Sequence, residues 1–349
     1  VLRGPVGAWL VAHVLVLLAL ITVWGMVGLP QTGAAPDARG LFVWDSGWYR
    51  SIAEQGYEPG QAVRFFPLLP LLAATVAWVT ALPPGAALIL VTWAAALGYG
   101  VLVSRVARAE LADPDAARRA TWLAQLAPGA FVLALGYAEA TAGLLAAAFF
   151  LFVRARNWAA VAAVGIASGL TRPTGLLLVV PALFLLGDRR IPLAWRVAAV
   201  TAPVAGTAAY LVWSAMVHGE ALRPLSVQTD PSLRGGLVAN PLSHLIHGSP
   251  VGTPPALALV LLAVTIVLLA VQFQVLPAMY GAWSLALVVV AVTAGGMASL
   301  PRYLAAAFPL AIAAAAVLRG RRAFGLALGA STVLFVALAA AGFTTHYVP

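Results

Sequence analysis

Phe42-Val43-Trp44-Asp45-Ser46-Gly47-Trp48-Tyr49-Arg50 follows an apolar stretch running from about Val6 to Gly28, and the pair decides the class of fold. The apolar stretch is too long for the core of a cleaved leader, and further apolar runs come after it. It therefore reads as a retained transmembrane helix. The aromatic run then puts a carboxylate where the chain leaves the bilayer, with Arg50 about one helical turn further on. Apolar surroundings disfavour the charged form of an acid, so Asp45 needs a reason to be there.

Composition agrees with a membrane protein. Apolar residues make up 62% of the 349-residue chain and charged residues 9%, with a mean hydropathy of +0.97. Too little polar surface exists to cover a water-soluble domain of this size, so the reading is an all-α polytopic membrane protein, 1–349 forming one transmembrane domain. All 20 basic residues are arginine, the side chain best suited to bidentate phosphate binding. There is no cysteine, which excludes disulfides and thiolate metal sites. Nothing in the pattern calls for nucleic acid.

The arginines set a predicted orientation. Arg105, Arg108, Arg118 and Arg119 cluster between apolar runs, as do Arg154 with Arg156, Arg189 with Arg190 and Arg196, and Arg319 with Arg321 and Arg322. The positive-inside rule makes these cytoplasmic, along with Arg3 and the N-terminus. Parity then requires the run Pro67–Leu82 to lie along the outer interface or re-enter without crossing; it is short and bounded by Pro67, Pro70, Pro83 and Pro84. The expectation is about eleven spans. After the first helix these run near 84–104, 120–136, 139–153, 157–171, 173–187, 196–217, 254–273, 277–296, 302–318 and 323–342. Two outer regions result: a first loop, 30–83, carrying interfacial helices, and a second, 218–253.

This topology puts Asp45, Arg64, Tyr137, Glu139, Arg172, Arg302 and Tyr303 on one side. Ionisable groups at span ends rarely face lipid and mark cavities and substrate paths. Each also has a plain structural reading. Asp45 fits the N-cap of a helix from Ser46 to Gln55 ended by Gly56, with Trp44, Trp48 and Ile52 as its buried stripe. Arg64 can mark a helix start, and Arg172 and Arg302 each sit beside a proline at a helix turn. Glu139 can cap a helix or pair with an arginine. His218, His244 and His247 do not have a convincing metal-ligand spacing, so no metal is expected.

Five segments, in order, carry a resemblance: Trp44-Asp45-Ser46-Gly47-Trp48-Tyr49 with Ile52-Ala53-Glu54 and Gly56-Tyr57; Arg64-Phe65-Phe66-Pro67-Leu68-Leu69-Pro70; Tyr137-Ala138-Glu139-Ala140; Leu170-Thr171-Arg172-Pro173-Thr174-Gly175; and Ser299-Leu300-Pro301-Arg302-Tyr303 with Phe308-Pro309-Leu310. Together they resemble the PIG-V family, mannosyltransferases of the GPI mannosyltransferase II type with the GT-C membrane fold. The all-arginine, cysteine-free composition resembles that of a GC-rich bacterium, which makes no GPI anchors and implies another acceptor.

The resemblance implies an inverting glycosyltransferase in the bacterial plasma membrane. It would take mannose from a polyprenyl-phosphate donor and pass it to an acceptor hydroxyl on a lipid, glycan or protein at the extracytoplasmic face, without a cofactor. Asp45 is then the catalytic base, Arg302, Arg172 and Arg64 bind the donor phosphate, and Trp44, Trp48, Tyr49, Tyr137, Glu139 and Tyr303 line the substrate site. The rival reading is a transporter or flippase of an anionic lipid, which would show half-repeats and helices broken in mid-membrane. A purely structural membrane subunit is the third reading; it would not need Asp45 and the arginines on one face.

Overall fold

A computed structural model of the chain describes residues 3–58, 60–229, 243, 245–246, 252–293, 297–344 and 347. Proline sets where many of its helices begin. Pro84, Pro114, Pro255, Pro301 and Pro309 each stand in a first turn, where the missing N–H costs nothing. The helices are α1 (Arg3–Val27), α2 (Asp45–Gln55), α3 (Leu68–Thr80), α4 (Pro84–Leu111), α5 (Pro114–Gln125), α6 (Glu139–Arg154), α7 (Trp158–Gly169), α8 (Val179–Leu183), α9 (Leu193–His218), α10 (Arg223–Ser226), α11 (Pro255–Val275), α12 (Ala278–Thr293), α13 (Leu300–Ala306), α14 (Phe308–Val317) and α15 (Arg321–Gly342). Among the described residues there are no strands.

The protein is a multi-pass membrane bundle. Apolar side chains such as Leu18, Ile21 and Trp24 of α1, Ile266 and Val267 of α11, and Leu326 and Val333 of α15 face outward, exposed. Such a belt is stable only in lipid. Within the bundle α4 packs on α1, α3, α5 and α6, and α14 on α5 and α11. The tightest crossing is α7 on α9, where a Cβ on Gly169 would stand 2.2 Å from the Pro203 carbonyl oxygen and one on Gly206 2.1 Å from that of Ile166. Small residues let the two backbones touch, as membrane helix pairs require.

The predicted count of eleven crossings is not reproduced by length. Among the described residues five helices, α1, α4, α9, α11 and α15, are long and apolar enough to cross alone, and six if α13 and α14 count as one bent span. The remaining apolar helices are shorter. Two predicted spans are interrupted. The run 120–136 is not one helix: α5 stops at Gln125, the chain turns through Pro128 and Gly129, and a 3-10 turn, Ala130–Ala134, follows. The run 302–318 bends by 74° at Ala307, because Pro309 cannot donate to the helix before it and restricts Phe308. The predicted second outer region, 218–253, with Asp230, Arg234, His244 and His247, lies largely outside the described residues.

The arginine clusters do gather at one end. Arg154, closing α6, pairs with Glu110 near the end of α4 at 3.1 Å; Arg156 pairs with Asp188, before α9, at 3.9 Å. Arg119 of α5 donates to Ala315 O of α14 at 3.1 Å. Glu139 and Arg154 stand at opposite ends of the 16-residue α6, about 22 Å apart at the helical rise of 1.5 Å per residue. α3, at 13 residues, reaches about 20 Å, short of the ~30 Å hydrocarbon core.

Candidate active site

The site lies at the end of the bundle opposite the arginine clusters and is built from five separate segments. α2 begins at Asp45 itself rather than at Ser46. Asp45 is the first residue of α2, and Trp44, before it, makes no side-chain cap. Asp45 Oδ2 accepts from Arg302 Nη1 at 2.9 Å, and Oδ1 stands 3.9 Å from Arg64 Nη2. The residue before it, Trp44, is held at φ +55°, ψ −122°, a conformation that bulky side chains avoid and that costs of order 1–3 kcal/mol. Three contacts fix it. Its N–H donates to Thr32 Oγ1 at 3.1 Å, its indole N–H donates to Gly342 O at 2.9 Å, and its ring packs where a Cβ on Gly33 would be 3.0 Å away. The Asp45 N–H donates to the Tyr137 hydroxyl at 3.3 Å.

Glu139 opens α6, where a carboxylate suits the helix dipole. It is 4% exposed, and a single oxygen, Oε1, meets both Arg172 Nη1 at 2.5 Å and Arg302 Nε at 3.3 Å. Arg302 is 2% exposed. It therefore links the two carboxylates, while Arg172 reaches the second from the turn before Pro173. Both guanidinium groups lie near the Tyr303 ring, at 5.5 and 5.6 Å, and Arg302 is also 5.6 Å from that of Tyr137. A buried ion pair survives only with good geometry and further partners; here Asp45, Glu139 and Arg302 each meet two opposite charges, and Arg172 meets Glu139 and the Tyr303 ring.

The break between α5 and α6 positions Arg302. A Cβ on Gly129 would stand 2.1 Å from Pro301 C and 2.4 Å from Arg302 N, so only glycine lets the two backbones pass. Arg64 is carried by a 3-10 turn, Gln61–Arg64. That turn is tied down by Tyr210, whose hydroxyl donates to Val63 O at 2.7 Å, and by Tyr57, whose hydroxyl donates to Phe65 O at 2.7 Å.

The predicted site residues thus converge: Asp45, Arg64, Tyr137, Glu139, Arg172, Arg302 and Tyr303 form one connected group. Trp48 stacks on Phe65 at 6.0 Å and Tyr49 meets the same ring edge-on at 5.1 Å, so both flank the group through α2. The predicted α2 stripe is partly shifted: Tyr49 and Ile52 are buried, while Trp44 and Trp48 are only partly so. Burial, against the nearby Arg172 charge, pushes the Tyr49 phenol well above its ordinary range, so it stays protonated. Sequence reading missed Gly129, and it missed Thr32 and Gly342 as the anchors of Trp44. Among the described residues no three His, Asp or Glu side chains gather into a ligand set, and Asp45 and Glu139 each face arginine.

An apolar cavity of about 490 Å³ adjoins the group. It begins at Pro301, next to Arg302, and runs between α5, α11, α14 and α15 as far as Leu318.

Residues 34–185 match the mannosyltransferase (PIG-V) family model. That segment holds Asp45, Arg64, Tyr137, Glu139 and Arg172 and stops short of Arg302 and Tyr303. No curated protein matches the chain. Among solved structures, ArnT from Cupriavidus metallidurans bound to undecaprenyl phosphate superposes with a TM-score of 0.56 at 15% identity, covering 91% of this chain and 62% of that one. The Archaeoglobus fulgidus oligosaccharyltransferase AglB, in complex with an inhibitory peptide and a dolichol-phosphate, gives 0.54 at 14%, covering 97% and 56%; its apo form gives 0.53 at 15%, covering 98% and 56%. The chain has the GT-C fold. It spans about three fifths of the length of these structures, and at such identities the likeness speaks for fold alone. Within that fold the segment that matches the PIG-V model supplies both carboxylates, and α13, outside it, supplies the arginine that joins them.

Proposed function

We propose that the protein is an inverting membrane glycosyltransferase that moves mannose from a polyprenyl-phosphate donor to an acceptor hydroxyl on the extracytoplasmic face. One observation carries this reading: the Asp45 carboxylate lies 2.9 Å from an arginine that also meets Glu139, so a base stands beside an anion site. Three arginines against two carboxylates leave the group with one formal positive charge. A donor phosphodiester carries one negative charge, and the released monoester between one and two. The charged group is therefore matched to the donor and more strongly to the product as it forms.

The step balances without a cofactor. The acceptor oxygen attacks the anomeric carbon and its proton passes to Asp45. The bond from that carbon to the phosphate oxygen breaks, and its electron pair leaves with the polyprenyl phosphate, where Arg302 and Arg172 meet the charge. Arg302 turns from Asp45 toward the incoming phosphate, which frees the carboxylate to act as base. Arg64 is the third donor. Tyr137, Tyr303, Trp48, Tyr49 and Glu139 shape the sugar side, and Trp44 aims Asp45. The prenyl tail lies in the apolar cavity that begins at Pro301. Positive-inside reasoning puts the arginine end in the cytoplasm, and hence this site outside.

The test is purified protein with polyprenyl-phosphate mannose labelled in the sugar and a range of hydroxyl acceptors. Free polyprenyl phosphate together with a labelled β- or α-linked product of inverted configuration supports the reading. Donor recovered intact but moved across a vesicle wall would replace it with lipid transport.

A further inference from the structure

A second groove lies on the lipid-facing surface, away from the site. It is open, about 700 Å³, and runs between α1, α5 and α15 past Val11, Trp122, Leu126, Gly325, Gly329 and Val333. Its floor is glycine: a Cβ on Gly325 or Gly329 would meet nothing within 4 Å. Its walls are fixed, because Ser331 Oγ on α15 donates to Leu126 O at the end of α5 at 2.7 Å. The one hydroxyl lining it, on Thr332, is already spent on Leu328 O at 2.8 Å. The groove therefore offers only apolar contact.

Charge gathers at one end of it. Arg321 and Arg322 stand four and three residues before Gly325, one helical turn away on the same face. Both are exposed and neither has an ion-pair partner among the described residues. Arg118 stands four residues before Trp122 on α5, its stem 3.7 Å from where a Cβ on Gly4 would lie; it leans toward exposed Asp115 at 3.5 Å. An apolar channel ending in unpaired guanidinium groups at the interface matches one chemistry, an acyl chain with a phosphate at its head.

We propose that this groove seats one acyl chain of an anionic phospholipid, whose phosphate rests on Arg321 and Arg322. The lipid is distinct from the donor, whose phosphate belongs at the opposite end of the bundle, and it ties α15 to α1 and α5 at the arginine end.

Detergent-purified protein is offered dipalmitoyl phosphatidylglycerol or dipalmitoyl phosphatidylcholine, and retention is read by native mass spectrometry. The unaltered protein is expected to retain the anionic lipid over the zwitterionic one. Each of Arg321→Gln and Arg322→Gln should weaken that preference by about five-fold, with sugar transfer unchanged. Gly325→Leu with Gly329→Leu should remove retention of both lipids by filling the groove. Equal retention of the two lipids by the unaltered protein would overturn the proposal. So would a paired glutamine variant that keeps the preference. A dimer that dissolves when the glycines are filled, with lipid retention untouched, would make the groove a contact between two copies instead.

Discussion

Arginine does two different jobs at the two ends of this bundle. At the site end the Arg302 side chain is 3% exposed and shared between two carboxylates. At the other end the Arg154 side chain is 50% exposed and that of Arg118 63%. An exposed guanidinium keeps its water, so its ion pair contributes little. A buried one has lost that water, so every charge beside it must be supplied by the protein. Density of charge is thus a poor guide to importance in this chain. At the site end the committed charges are the few inside the bundle, Asp45, Arg64, Glu139, Arg172 and Arg302.

The contrast can be broken at its strongest point first. Asp45→Asn keeps shape and hydrogen bonding but cannot take a proton. Turnover of labelled donor should fall by about 10²- to 10⁴-fold, while the detergent-solubilised protein elutes and melts as before. A variant that turns over near the normal rate would return Asp45 to a structural role.

Glu139→Ala should do the reverse. It leaves Arg172 and Arg302 buried without their shared oxygen, and losing one partner of such a pair costs about 3–5 kcal/mol. A large drop in the thermal midpoint is expected along with weaker donor binding. An unmoved midpoint would mean that water already shields the pair.

Gly129→Ala is predicted to act through packing alone. The new methyl meets the Pro301 backbone, and overpacking of this kind costs about 1–3 kcal/mol. Arg302 should move with that backbone, so donor affinity falls although no charge has changed. Arg118→Ala, at the opposite end, should leave both the midpoint and sugar transfer unmoved.

The orientation of the two ends needs no change in activity to test. Single cysteines replacing Arg39, Leu82 or Asp115, all exposed, are read with a membrane-impermeant thiol reagent on intact cells. Positions 39 and 82 should label from outside and position 115 only after the membrane is opened. Labelling at 82 from the cytoplasm alone would show that α3 crosses.

Much of the candidate site was legible in the sequence because ionisable groups at or within span ends are conspicuous. Glu139, Arg172 and Arg302 stood out for that reason, and the structure joins them to Asp45. The first membrane-length helix was legible from the length of its apolar stretch, and the all-helical class from composition. Hydropathy could not see the interruptions, since it counts apolar residues and not hydrogen bonds. The run 120–136 carries no charge, yet Pro128 and Gly129 turn it so that Gly129 can pass against the Arg302 backbone. The resemblance implied that Trp44 lines the substrate site, and the residue pattern read it as part of a buried stripe. Its indole N–H is taken by Gly342 O from the far end of the chain, a partner that no local pattern announces.

The 74° bend at Ala307 has a consequence for how such a protein can change over time. Arg302 sits on α13, and α14 forms one wall of the cavity beside it. With the two meeting at a corner and not along one rod, substitutions that widen or shorten the cavity tilt α14 without transmitting that tilt to the guanidinium. A lineage could then reshape the cavity, or meet a thicker bilayer, while the charged group keeps its arrangement.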